Sequence, residues 1–95
     1  MAILHIVRSS AFNDNKLNLC LSIISSKDTL FLMDDGVYNV AHPKLMTRTD
    51  SLTVYALYNH LQARGVDIGD SAIALANLKD LVTLSDTATK VITWQ

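Results

Sequence analysis

The sequence predicts an α/β domain, a three-layer α/β/α sandwich on a mainly parallel five-stranded sheet, and three observations carry that expectation. Five short apolar stretches read as continuous runs and not as alternation, which is the pattern of strands covered on both faces. Their starts, at residues 3, 29, 52, 72 and 91, lie 26, 23, 20 and 19 residues apart. That is too far for hairpins and suits strand–helix–strand units. Between the runs the apolar spacing changes to that of helices. The resulting alternation implies a parallel sheet with helices packed on its faces. Strand order does not follow from it, and the last strand can run either way.

Each element has a local reason. Ile3 to Val7 is the first strand run. After Asn13 or Asp14, either of which can cap a helix, Leu17, Cys20, Leu21 and Ile24 fall at i, i+3, i+4 and i+7 on one helical face. Thr29 to Met33 is the second run, closed by Asp34-Asp35-Gly36. Val37 to Ala41 is a short helix that Pro43 interrupts. Leu52 to Leu57 is the third run, and Asn59 then caps a helix over His60 to Arg64 that Gly65 stops in a left-handed conformation. Ala72 to Ala76 is the fourth. Asn77 with Asp80 has capping-box spacing, and Leu78, Leu81 and Val82 are expected to form the buried stripe of the last helix. Val91 to Trp94 is the final strand.

Ninety-five residues suffice for one domain, expected to span 1–95. Hydrophobic residues make up 49% and charged residues 18%, which excludes a disordered chain. A domain this small buries only about 60–65% of its unfolded surface. Abundant apolar residues with few charges therefore predict a surface that associates, with partners or with itself. Eight Lys and Arg are scattered among nine acids, every one an Asp, for a net charge of −1. No basic face for nucleic acid or anionic lipid arises, so tight direct RNA binding and membrane contact are not expected. The apolar start Met1 to Val7 is interrupted by His5 and closed by Arg8, which does not read as a signal peptide, and a cytoplasmic location is expected.

In an open parallel sheet, chemistry gathers where the strands end. Those ends read Arg8-Ser9-Ser10, Asp34-Asp35-Gly36, Tyr58-Asn59-His60 and Asn77. No glycine-rich phosphate loop occurs, and no cofactor is expected. His5, His42 and His60 are 37 and 18 residues apart, which matches no common metal spacing, and no metal site is expected. His5 lies inside a strand, as a hydrogen-bonded interior or interface group; His60 opens a helix at the functional edge. Cys20 is the one thiol, so neither an intrachain disulfide nor a multi-cysteine motif is available. It falls on the apolar stripe, where a small buried hydrophobe is the usual role, although Lys16 one turn earlier favours a thiolate. Trp94, the single tryptophan, sits one residue from the end of the sequence and is a candidate anchor for a neighbouring element or subunit. From the residues alone, no reaction can be named.

The order of segments has a precedent. Leu4-His5-Ile6-Val7-Arg8-Ser9 opens the sequence, and Leu30-Phe31-Leu32-Met33 runs into Asp34-Asp35-Gly36-Val37. Then come Val54-Tyr55-Ala56-Leu57 with Ala63-Arg64-Gly65, and the closing Val91-Ile92-Thr93-Trp94. Together these resemble the TusB/DsrH family, the small subunit of the TusBCD and DsrEFH sulfur-relay complexes. The resemblance implies a DsrE-like fold within a hetero-oligomer, a hexamer holding TusC-like and TusD-like partners. Such complexes pass persulfide sulfur toward 2-thiolation of the tRNA wobble uridine. It implies a structural or docking subunit, the essential acceptor cysteine being on the TusD-like chain. The DsrH branch carries a cysteine in the first helix, which Cys20 matches, so the alternative implied is a sulfur-carrying subunit with Cys20 as persulfide carrier. Trp94 and His60 are the interface candidates. His60 also stands where family members often have an acid.

Overall fold

The computed structural model describes residues 2–69 and 71–95. Its strands are β1 (Ile3–Val7), β2 (Thr29–Leu32), β3 (Thr53–Leu57), β4 (Ala74–Ala76) and β5 (Lys90–Trp94). The helices are α1 (Lys16–Ile23), α2 (Pro43–Met46), α3 (Tyr58–Ala63) and α4 (Leu78–Thr87), with a 3₁₀ segment over Asp34–Ala41. All strand pairings are parallel, in the order β4-β3-β2-β1-β5, which resolves the direction of β5. The fold is thus the α/β architecture expected from the run-and-helix alternation.

The order decides which helices cover which face. From β1 to β4 each connection steps one strand the same way, and right-handed crossovers put α1, α2 and α3 on one face. The connection through α4 runs back across the whole sheet to β5, so α4 lies on the opposite face. Packing follows that division. Leu17, Cys20 and Leu21 of α1, Val37 and Val40 of the 3₁₀ segment, Leu45 of α2 and Leu61 of α3 bury against Val7, Leu30, Leu32, Val54 and Ala56. On the other side Leu81 and Leu84 of α4 pack on Leu4, Phe31, Leu57 and Ala76.

Local signals set the element ends, with some differences from the sequence reading. Helix α1 begins at Lys16, whose backbone N–H donates to the Asp14 carboxylate at 3.0 Å. Pro43 opens α2 at its first turn, where its missing N–H costs nothing. Helix α3 starts at Tyr58, directly off β3, and so needs no cap from Asn59. It closes as predicted through Gly65 at φ +64°, with Val66 N–H bonded to the Leu61 carbonyl and Gly65 N–H to that of Gln62, a Schellman motif. The capping box of α4 is complete: Asp80 N–H donates to Asn77 Oδ1 at 2.8 Å, and Asn77 N–H to Asp80 Oδ2 at 2.9 Å.

The predicted stripe of α4 is corrected. Leu78 and Val82 are each 58% exposed, and the inward residues are Leu81, Leu84 and Ala88, at i, i+3 and i+7. Four aliphatic residues close together on a ten-residue helix offer two overlapping stripes, and the angle at which α4 crosses the sheet selects one.

Candidate functional site

Two groups of polar side chains are organised by this fold, one at the carboxyl edge of the sheet and one inside it. At the edge, the turn after β2 is held tightly against the end of β1. Gly36 is required there for space and not for its dihedrals, since a Cβ would overlap the Val7 carbonyl. The left-handed residue of the turn is Asp34, at φ +52°, a conformation that costs a non-glycine residue of order 1 kcal/mol. Asp34 is compensated by its contacts. Its N–H donates to His60 Nδ1 at 2.7 Å, and its Oδ2 accepts from Arg8 Nε at 2.6 Å. Arg8 also reaches Gln95 Oε1 at 3.2 Å, and Arg64 pairs with Asp35 at 3.0 Å. Because His60 Nδ1 accepts a backbone N–H, its ring proton sits on Nε2. Arg8, Asp34 and His60, read separately from the sequence as strand-end residues, therefore form one contiguous group, part-exposed to solvent.

Inside the sheet, His5 is fully buried and bonded on both ring nitrogens. Trp94 Nε1–H donates to its Nδ1 at 3.2 Å, which makes Nε2–H the donor to Asp28 Oδ2 at 3.1 Å. Trp94 is half-buried: register places it beside Val7, and its indole stacks near His5 at 6.2 Å between ring centroids. Burial disfavours the Asp28 carboxylate. The N–H groups of Ser25 and Ile3, both at 3.0 Å, and then the His5 ring outweigh that cost and hold its carboxyl below the usual range.

Cys20 lies on the inward face of α1 with no exposed surface. Burial, and then the negative charge of Asp28, push its thiol up from 9.0 to about 12; Arg48 opposes them weakly. The cation that acts on the thiol is Arg48, whose guanidinium bonds the Leu21 carbonyl, and not Lys16. A thiol in this state is neutral at physiological pH.

Sequence reasoning passed over Asp28 and Asn39. Asn39 is fully buried and ties the β1 exit to the 3₁₀ segment, donating to the Ser9 carbonyl at 3.0 Å and accepting from Ala11 N–H at 2.7 Å. Asn39 lies 28 and 30 residues from its partners, and Asp28 lies 23 and 25 from His5 and Ile3, so in Asp28 only the contact with Ser25 is local. Among the described residues no group of three or more His, Cys or Asp side chains is placed to hold a metal ion. An open groove of about 560 Å³ between Val40, Met46, Asp50, Ile68 and Ala72 contains none of the candidate side chains. No helix among the described residues is long and apolar enough to cross a membrane.

The fold and these groups define a small parallel α/β domain with a polar carboxyl edge and a buried lone cysteine. Residues 9–91 match the model of the DsrH-like protein family, and the chain belongs to that family. It is a subunit related to sulfur relay, of a family that works in multi-subunit sulfur-relay complexes. No curated protein matches its sequence significantly. Among solved structures it is similar to the crystal structure of the ychN protein from E. coli, with a TM-score of 0.67 and 20% identity. That alignment covers 98% of this chain and 99% of the other, and at this identity the likeness speaks for the fold alone.

Proposed function

We propose that this chain is a cytoplasmic, non-catalytic docking subunit of a sulfur-relay hetero-oligomer with TusC-like and TusD-like partners. The complex passes persulfide sulfur toward 2-thiolation of the tRNA wobble uridine. The observation that supports a docking role over a carrier role is Cys20, with no exposed surface and a thiol pKa of about 12. A carrier must attack a donor persulfide as thiolate: its sulfur bonds the outer sulfur, and the donor leaves as a thiolate. Cys20 meets neither the access nor the ionisation that this step requires. The part-exposed His60 and Trp94, both at the carboxyl edge, are the side chains proposed to meet a partner subunit.

The second reading, Cys20 as persulfide carrier, is favoured by its match to the first-helix cysteine of the DsrH branch. It requires α1 to lift from the sheet. Reconstituted relay with Cys20→Ala and Cys20→Ser, scored by thiolated tRNA, separates the two. Near-normal thiolation with Cys20→Ala is the expected result. Loss of transfer from an intact complex would make Cys20 the carrier and remove the docking-only reading.

A further inference from the structure

Helix α4 carries a charge pattern that its own chain leaves unused. Leu81 and Leu84 take its inward side, so at 100° per residue the outward side bears Lys79, Val82 and Asp86, with Leu78 on the adjoining shoulder. All four are exposed, Leu78 and Val82 at 58% each. Lys79 and Asp86 stand seven residues, two turns, apart on one line along the helix. Neither takes part in an ion pair among the described residues, whereas the neighbouring Asp80 is committed to the capping box.

This pattern is complementary to itself when reversed. We propose that α4 is a self-recognition surface on which two copies of this chain pair, α4 against α4, antiparallel about a two-fold axis at Val82. The midpoint between Lys79 and Asp86 falls beside Val82, so the axis places each Lys79 opposite the other copy's Asp86. Both charged positions then lie about 5 Å along the helix from the axis. The Val82 side chains of the two copies meet at the centre. Leu78 lies about 7 Å along the helix from the axis, beyond Lys79 and opposite the other copy's Thr87, and the contact is isologous, as a two-fold dimer requires. A parallel pairing would set Lys79 against Lys79 and Asp86 against Asp86, which the same charges disfavour. One ten-residue helix is about 15 Å long and offers less than the roughly 800 Å² per partner of a standard interface. The dimer is therefore weak and depends on concentration and salt. This inference does not rest on the sulfur-relay reading.

The test is sedimentation equilibrium of the full chain at low salt, with circular dichroism to verify each variant's fold. Wild type is expected to show a reversible monomer–dimer equilibrium that high salt shifts to monomer. Lys79→Asp and Asp86→Lys each place like charges opposite one another twice and should weaken dimerisation by roughly tenfold. The equimolar mixture of these two variants restores both ion pairs, and so does the double variant; both should regain near wild-type association. A wild-type chain that stays monomeric at every concentration would overturn the proposal. So would a dimer indifferent to the single reversals, or a mixture that associates no better than its components.

Discussion

The two faces of the sheet are covered by different means. Over one, α1, α2, α3 and the 3₁₀ segment close on fifteen buried apolar side chains among the described residues, including Cys20. Over the other, α4 alone crosses above four, with Ile6, Met33, Tyr55, Leu81, Leu84 and Ala88 only partly buried around them. The first face has the packing of a finished core. The second has a core on its inner side and apolar residues at Leu78 and Val82 on its outer side. The difference follows from strand order: three crossovers step in one direction and only one returns. The single cysteine is thus on the sealed face, and the exposed Leu78 and Val82 are on the thin one.

Substitutions should reproduce this contrast, from large effects to small. Leu17→Ala, which cuts a fully buried side chain from the sealed face, should cost about 2–5 kcal/mol in urea unfolding. Cys20→Ser should cost about 1–3 kcal/mol, because a hydroxyl at that apolar site finds no ready partner, and Cys20→Ala should cost less. Asn77→Ala, which removes half of the α4 capping box, should cost about 1 kcal/mol. Val82→Ala on the outer side of α4 should change monomer stability by less than about 0.5 kcal/mol. If Val82→Ala proved as costly as Leu17→Ala, the division into sealed and thin faces would be wrong.

Stability against pH sharpens the same contrast, with opposite signs at the two ends of the scale. The Cys20 pKa is raised on folding, so its contribution is fully present below pH 9 and is lost as pH climbs from 9.0 toward about 12. The loss should be roughly 1 kcal/mol per pH unit in that window, and the same slope should be missing from Cys20→Ala. The Asp28 pKa is lowered on folding. Its contribution is present above the ordinary carboxylate range and disappears as pH falls below about 4, a loss that Asp28→Asn should remove. Chemical denaturation at a series of pH values reads both.

What could be read in advance divides along physical lines. The five strand runs, the Asn77 and Asp80 cap and the Gly65 stop depend on neighbours within a few residues, and all appear at or near the expected positions. Cys20 on the inward face of α1 was legible from the same i, i+3, i+4 spacing. Strand order was not, because it depends on which distant runs pair. The outward turn of Leu78 and Val82 was lost for a related reason: how a helix sits on its sheet is a tertiary fact. The Asp28–His5–Trp94 chain joins residues 23 and 89 positions apart, so it exists only once β1, β2 and β5 are side by side. In the sequence Asp34 is one of several strand-end residues, yet in the structure it takes the left-handed conformation itself and gathers Arg8 and His60 around it.

The central claim, that the sealed face withholds Cys20 from sulfur chemistry, is tested most directly by thiol alkylation of the protein assembled with its partners at neutral pH. Modification should be very slow in the native complex and should become rapid in urea, with unfolding as the limiting step. Rapid, stoichiometric alkylation of Cys20 in the folded complex would contradict the account, because it would show a thiolate exposed where the structure buries a neutral thiol.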